Sequence, residues 1–117
     1  MNNISRDPLG YLKCNSKAVL RLVSNKSAIT SVTSAYTIAL SDNIINATSG
    51  TFTITLPTAA GILGKKFIVK NSGTGAVTLD AFGSETIDGT ATEAMPAQYD
   101  AVTVVSDGVN WIEISRI

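Results

Sequence analysis

Histidine is absent from the 117 residues, and cysteine occurs once, as Cys14. The first absence removes every Ser-His and Cys-His nucleophile pair, along with the side chain that most often moves protons near neutral pH. The second removes any internal disulfide, and together they leave no Cys/His set with the spacing of a zinc site. Charged residues make up only 15% of the chain, against about a quarter in typical domains, and aromatics 6%. No apolar run approaches the roughly 20 residues of a helical membrane span, and no hydrophobic stretch of signal-peptide length follows Met1. The expectation is a protein made in the cytosol without a signal peptide, either kept there or released by lysis, with no membrane partner.

What is present is sheet-forming. Apolar residues supply 44% of the chain, and Ser and Thr together supply 26 residues. Thr, Val and Ile pack well on a half-buried pleated face, whereas a helical bundle would need far more Glu, Lys, Arg and Leu. The length suits one core plus a tail, so the fold class expected is all-β in a single domain.

Net charge is zero but unevenly spread. Residues 1–30 hold Arg6, Lys13, Lys17, Arg21 and Lys26 against Asp7 alone, and residues 31–117 hold four basic and eight acidic side chains. The start of the chain, broken by Pro8 and Gly10, has no period and reads as an arm. Five charges over 30 residues with Tyr11 as the only aromatic do not make a nucleic-acid surface. Within the arm, Lys17 to Val23 alternates, with Ala18, Leu20 and Leu22 on one side, and predicts a short strand.

From Ala35 onward strand patterns recur. Tyr36, Ile38 and Leu40 alternate with small or polar neighbours, and Phe52, Ile54 and Leu56 do the same before Pro57. Further strands are predicted over 65–71, 76–82, 93–97, 101–106 and 110–114, with one helical turn over 58–63. Two turns predict hairpins. The loop Gly73-Thr74-Gly75 would pair Val69 with Leu79, Gly75 taking a positive φ. The loop Asp107-Gly108-Val109 would pair Val104 with Ile112 and leave Trp111 opposite Val105 on the outer face, where something has to cover them. The plainer reading is that Trp111 caps the edge of its own core.

Chemistry-bearing motifs are thin. Asp80, Glu85 and Asp88 cluster near Gly83 and Gly89, but their spacing fits no calcium loop, and turns are where such residues belong. Gly61-Ile-Leu-Gly64-Lys-Lys66 lacks both the first glycine and the magnesium-binding hydroxyl of a phosphate loop. The expectation is therefore a non-enzymatic chain with no catalytic residue, cofactor or metal. Tyr11, Phe82, Tyr99 and Trp111 are the aromatics free to serve as sugar platforms, while Tyr36, Phe52 and Phe67 fall on core faces.

The stretches Tyr36-Thr-Ile-Ala-Leu-Ser-Asp42, Thr51-Phe-Thr-Ile-Thr-Leu-Pro-Thr-Ala-Ala-Gly61, Gly64-Lys-Lys-Phe-Ile-Val-Lys-Asn71, Gly83-Ser-Glu-Thr-Ile-Asp-Gly89 and Val102-Thr-Val-Val-Ser-Asp-Gly-Val-Asn-Trp111 resemble a β-module of phage fibre, spike and head-decoration proteins. The resemblance implies a compact antiparallel β-sandwich or β-prism subunit, assembled as a homotrimer on the virion surface, with Val105 and Trp111 at the subunit interface. It implies a structural role in capsid decoration or a head fibre, with a larger virion protein such as the major capsid protein as partner and a bacterial host as the cell whose cytosol makes it. Residues 31–117 would be the head; the resemblance does not reach residues 1–30, whose basic charge and apolar groups make them the expected anchor, through Arg6, Lys13, Lys17, Leu20, Arg21, Leu22 and Lys26. The alternative is a receptor- or glycan-binding tip of a tail fibre, its partner a cell-surface glycan.

Overall fold

The computed structural model describes residues 26–117; the strand predicted over Lys17–Val23 lies outside them. The described residues form nine strands and no helix: β1 Ile29–Val32, β2 Tyr36–Thr37, β3 Ile44–Ala47, β4 Phe52–Thr55, β5 Lys66–Asn71, β6 Val77–Asp80, β7 Thr92–Met95, β8 Ala101–Ser106 and β9 Trp111–Arg116. All-β character holds, and the helical turn predicted over 58–63 is a run of tight turns. The first of these strands, β1, runs across residue 31.

Two sheets share the strands. The first has the order β1-β3-β5-β8-β9 and the second β2-β4-β6-β7. The chain alternates between them: β1, β3 and β5 stack in parallel in the first sheet, while β2, β4 and β6 stack in parallel in the second. Each of three successive turns of chain thus lays one rung in each sheet, as in a solenoid. Antiparallel pairing is confined to β5/β8, β8/β9 and β6/β7, so the sheets are mixed and the antiparallel expectation is corrected. Register partners Ile29, Ile44 and Ile68 are 15 and then 24 positions apart, so no repeat of fixed period marks the rungs in the sequence.

Inward residues follow the alternation. Phe67, Val69, Val102 and Val104 of the first sheet and Ile54, Val77, Leu79 and Met95 of the second join one buried cluster with Ile38, Leu56 and Ile87. Tyr36 and Phe52 pack against it, as their positions in the pattern predict. Complete burial of one such large side chain contributes about 1.5–3 kcal/mol.

Both predicted hairpin registers are replaced. β5 and β6 do not pair at all, because the segment 72–76 is a corner that carries the chain from one sheet to the other. Gly75 has no positive φ there. What it provides is space, since a Cβ would lie 2.3 Å from the Gly50 carbonyl oxygen on the corner below. In the β8–β9 hairpin the loop has four residues. Asp107 Oδ1 accepts from Val109 N and Asn110 N, and Asp107 N donates to Asn110 O. Those bonds move Trp111 opposite Ser106, on the core side, and a bulge beside Thr103 and Val104 shifts the rest of the strand.

Candidate functional site

Trp111 is therefore not an interface residue of the outer face. It is 1% exposed, its ring centroid 5.7 Å from that of Phe67. Ile112 exchanges faces with it, lying opposite Val105, which is half-buried on the outer face. Trp111 Nε1 has no hydrogen-bond partner among the described residues. The register set by the four-residue loop also favours burial, because the indole withdraws more apolar surface than the Ile112 side chain would.

The two outer faces differ in chemistry. On the second sheet, Thr53 stands beside Thr78 and Thr55 beside Thr37 and Asp80, with Thr92 completing the row. This is a hydroxyl-covered, solvated face. On the first sheet, Ile29, Ile44 and Ile68 form one row and Lys66, Val105 and Ile112 the next. Ile29, Ile112 and Ile114 are 64%, 41% and 57% exposed. An apolar face beside an apolar core is the pattern of a sheet covered on both sides.

The acidic residues of the 80–89 stretch do not converge. Glu85 accepts from the Thr58 hydroxyl at 2.5 Å and from Ala59 N at 2.8 Å, which holds the turn after β4. Asp88 accepts from Glu113 N at 3.1 Å and sits beside β9. Among the described residues no group of three Asp, Glu, His or Cys is placed to hold a metal ion. In the Gly61–Lys66 loop, Gly64 N donates to Ser106 O and Lys65 N to Ile62 O, so these amides are engaged within the fold and not directed at a phosphate.

Polar side chains otherwise brace the corners. Asp42, 7% exposed, accepts from Thr30 Oγ1 on β1, Tyr36 Oη on β2 and Ala39 N, at 2.8, 2.7 and 2.8 Å. Burial alone would raise its pKa, but these three donors and the Lys65 charge outweigh burial and hold it below the ordinary value. Donation to Asp42 pushes the Tyr36 hydroxyl up, with burial and the carboxylate charge adding to the effect. A lowered carboxylate pKa contributes stability that is present above the unfolded-state value and lost as pH falls through the folded one. Asp42→Ala is expected to cost about 2 kcal/mol at neutral pH, because Tyr36 and Thr30 are left without an acceptor. Urea melts from pH 7 to pH 3 check this: the gap between wild type and variant narrows on acidification, and a constant gap would contradict it.

Of the four candidate platforms, Tyr11 lies outside the described residues and Trp111 is in the core. Phe82 and Tyr99 are exposed, but they lie beyond opposite ends of β6. Tyr99 has φ +73°, a left-handed conformation that costs a bulky residue energy, and Lys70 Nζ lies 5.5 Å from its ring centroid. Tyr99→Gly is expected to stabilise the protein by about 0.5–1 kcal/mol by removing that strain. A lower melting temperature in the variant would show that the ring's contacts outweigh the strain.

The anchoring residues Arg6, Lys13, Lys17, Leu20, Arg21 and Leu22 lie outside the described residues; Lys26 is exposed at the approach to β1. No family model matches the chain, and no curated protein matches it.

Proposed function

We propose that the chain is a non-enzymatic virion surface protein of a phage, a capsid-decoration or head-fibre subunit. It assembles as a homotrimer of β-sandwich or β-prism heads and is anchored to a larger virion protein through its basic N-terminal arm. The observation that carries the reading is the isoleucine face of the first sheet, which no other described residue covers, on a body whose other face is solvated by threonine. A small domain that keeps such a face has a partner for it, and repetition of the same subunit is the commonest way to supply one. The polar groups of the body brace turns and corners, which suits a mechanical role. The arm carries four basic residues and one acidic one before Lys26, and residues 26–117 carry five basic and eight acidic ones, so arm and body are made for surfaces of opposite sign.

Mass spectrometry of purified particles from the phage that encodes the chain tests this. The chain is expected in multiples of three copies, removable by protease without opening the capsid. Lys17→Glu with Arg21→Glu should leave the head folded and the particles bare. Particles without the chain, or full occupancy in the double variant, would overturn the placement or the anchor respectively.

A second reading, a receptor- or glycan-binding tip, is favoured by Tyr99. An exposed aromatic held in a costly backbone conformation over a lysine is the kind of feature that binding sites retain. Glycan-array binding that disappears in Tyr99→Ala would support the tip, and an empty array would remove it.

A further inference from the structure

The outer face of the first sheet is apolar but not featureless. Its charges are Lys66 and Lys70, both on the central strand β5, and no carboxylate points outward from the five strands. At the β9 margin of the same sheet the sign reverses. Arg116 pairs with Glu93, and Glu113 lies near both of them and beside Asp88. Three carboxylates and one guanidinium share that margin, so it is left negative.

We propose that the occupant of the isoleucine face is a second copy of this chain, in a closed three-fold ring where the β9 margin of one copy lies along β5 of the next. This rests on the trimeric reading above and assigns the surface and the symmetry. A two-fold contact through this face would set the lysine stripe of one copy against that of its partner. A rotation that closes as a ring is heterologous: it joins two different patches, so each copy offers its negative margin to the next copy's lysines. Ile68, between Lys66 and Lys70, then sits under Ile112 and Ile114 of the neighbouring copy, and water leaves both.

Light scattering on the full chain tests this. Wild type is expected at the mass of three copies and Ile68→Asp at one, with cooperative melting retained because Ile68 contributes to the outer face and not to the core. Lys66→Glu and Glu113→Lys should each weaken the trimer about tenfold or more, and the double variant should recover most of that loss, since the swap restores the pairing. Ile112→Lys gives a second test at an exposed position should Ile68→Asp misfold. A monomeric wild type would overturn the trimeric reading together with this inference. A trimer indifferent to Ile68→Asp and Ile112→Lys would overturn the inference alone, and a dimer would overturn its symmetry.

Discussion

Asn71→Asp is expected to lower the stability of the protein by about 4 kcal/mol at pH 7, enough to drop the melting temperature by roughly 15 °C or more. Asn71 is fully buried at the end of β5, where the chain leaves the first sheet. Its amide nitrogen donates to the carbonyls of Gly75, Met95 and Ala97, at 2.8, 2.9 and 3.3 Å, and its oxygen accepts from Gly73 N at 3.2 Å. One side chain thus ties the corner after β5 to the segment leaving β7. Aspartate has nearly the same shape but turns the donor into an acceptor, so a carboxylate would face three carbonyl oxygens out of reach of water. The charged form is disfavoured in the fold, which raises the pKa of the new carboxyl. Its cost is small below the unfolded pKa and grows as pH rises through the folded one. Melts of the variant should therefore recover towards wild type between pH 7 and pH 4. A variant that melts within about 2 °C of wild type at pH 7 would show that the corner does not depend on this donor.

Gly75→Ala should cost about 3 kcal/mol or more, while Gly64→Ala costs about 1 kcal/mol. The contrast separates two uses of glycine. Gly64 has φ +88° with nothing within 4 Å of a Cβ, so alanine meets only the left-handed backbone penalty. Gly75 has an ordinary φ, but its Cβ would meet the Gly50 oxygen at 2.3 Å, the Gly50 carbon at 2.6 Å and Thr51 Oγ1 at 2.6 Å. Gly73 is similarly placed, 2.8 Å from Ser49 Cα. The corner 72–76 lies directly on the corner 48–51, and Ser72 N→Ala47 O and Phe52 N→Ala76 O bonds flank the contact. A methyl group at residue 75 pushes against backbone that belongs to the rung below, so the rungs have to separate. Equal losses in the two variants by urea melts would mean that backbone conformation and not close stacking selects glycine there.

The same corner explains what could be read without the structure and what could not. A glycine pair between two alternating segments is the local signature of a hairpin, and Gly73-Thr74-Gly75 satisfies it. Nothing local distinguishes a turn that folds β6 back onto β5 from a corner that carries it into the other sheet; the approach of residues 48–51 does, and those lie some 25 positions away. β1 and β3 were not legible for a related reason. They are four residues long, and Ile44-Ile45 breaks the period of two. Parallel neighbours, not an intrinsic pattern, hold them in the sheet. In the last hairpin the alternation of Trp111 with Ile112 was visible, but which of the two faces inward depends on one residue of loop length, and the Asp107 bonds decide it. The outer face accordingly holds Val105 with Ile29, Ile44, Ile68, Ile112 and Ile114, and Trp111 lies in the core.

By itself the sequence determined the class of structure and the inward residues of four of the nine strands. The absence of histidine and disulfides, the Thr, Val and Ile content and the period of two are properties of short stretches, and burial follows them in β4, β5, β6 and β8. Only the tertiary structure decided the pairing partners, the parallel stacking of the rungs and the face that the described residues leave uncovered. Backbone hydrogen bonds carry no side-chain identity, so a strand accepts any neighbour that the corners deliver to it, and the corners are set by contacts between residues far apart in the chain.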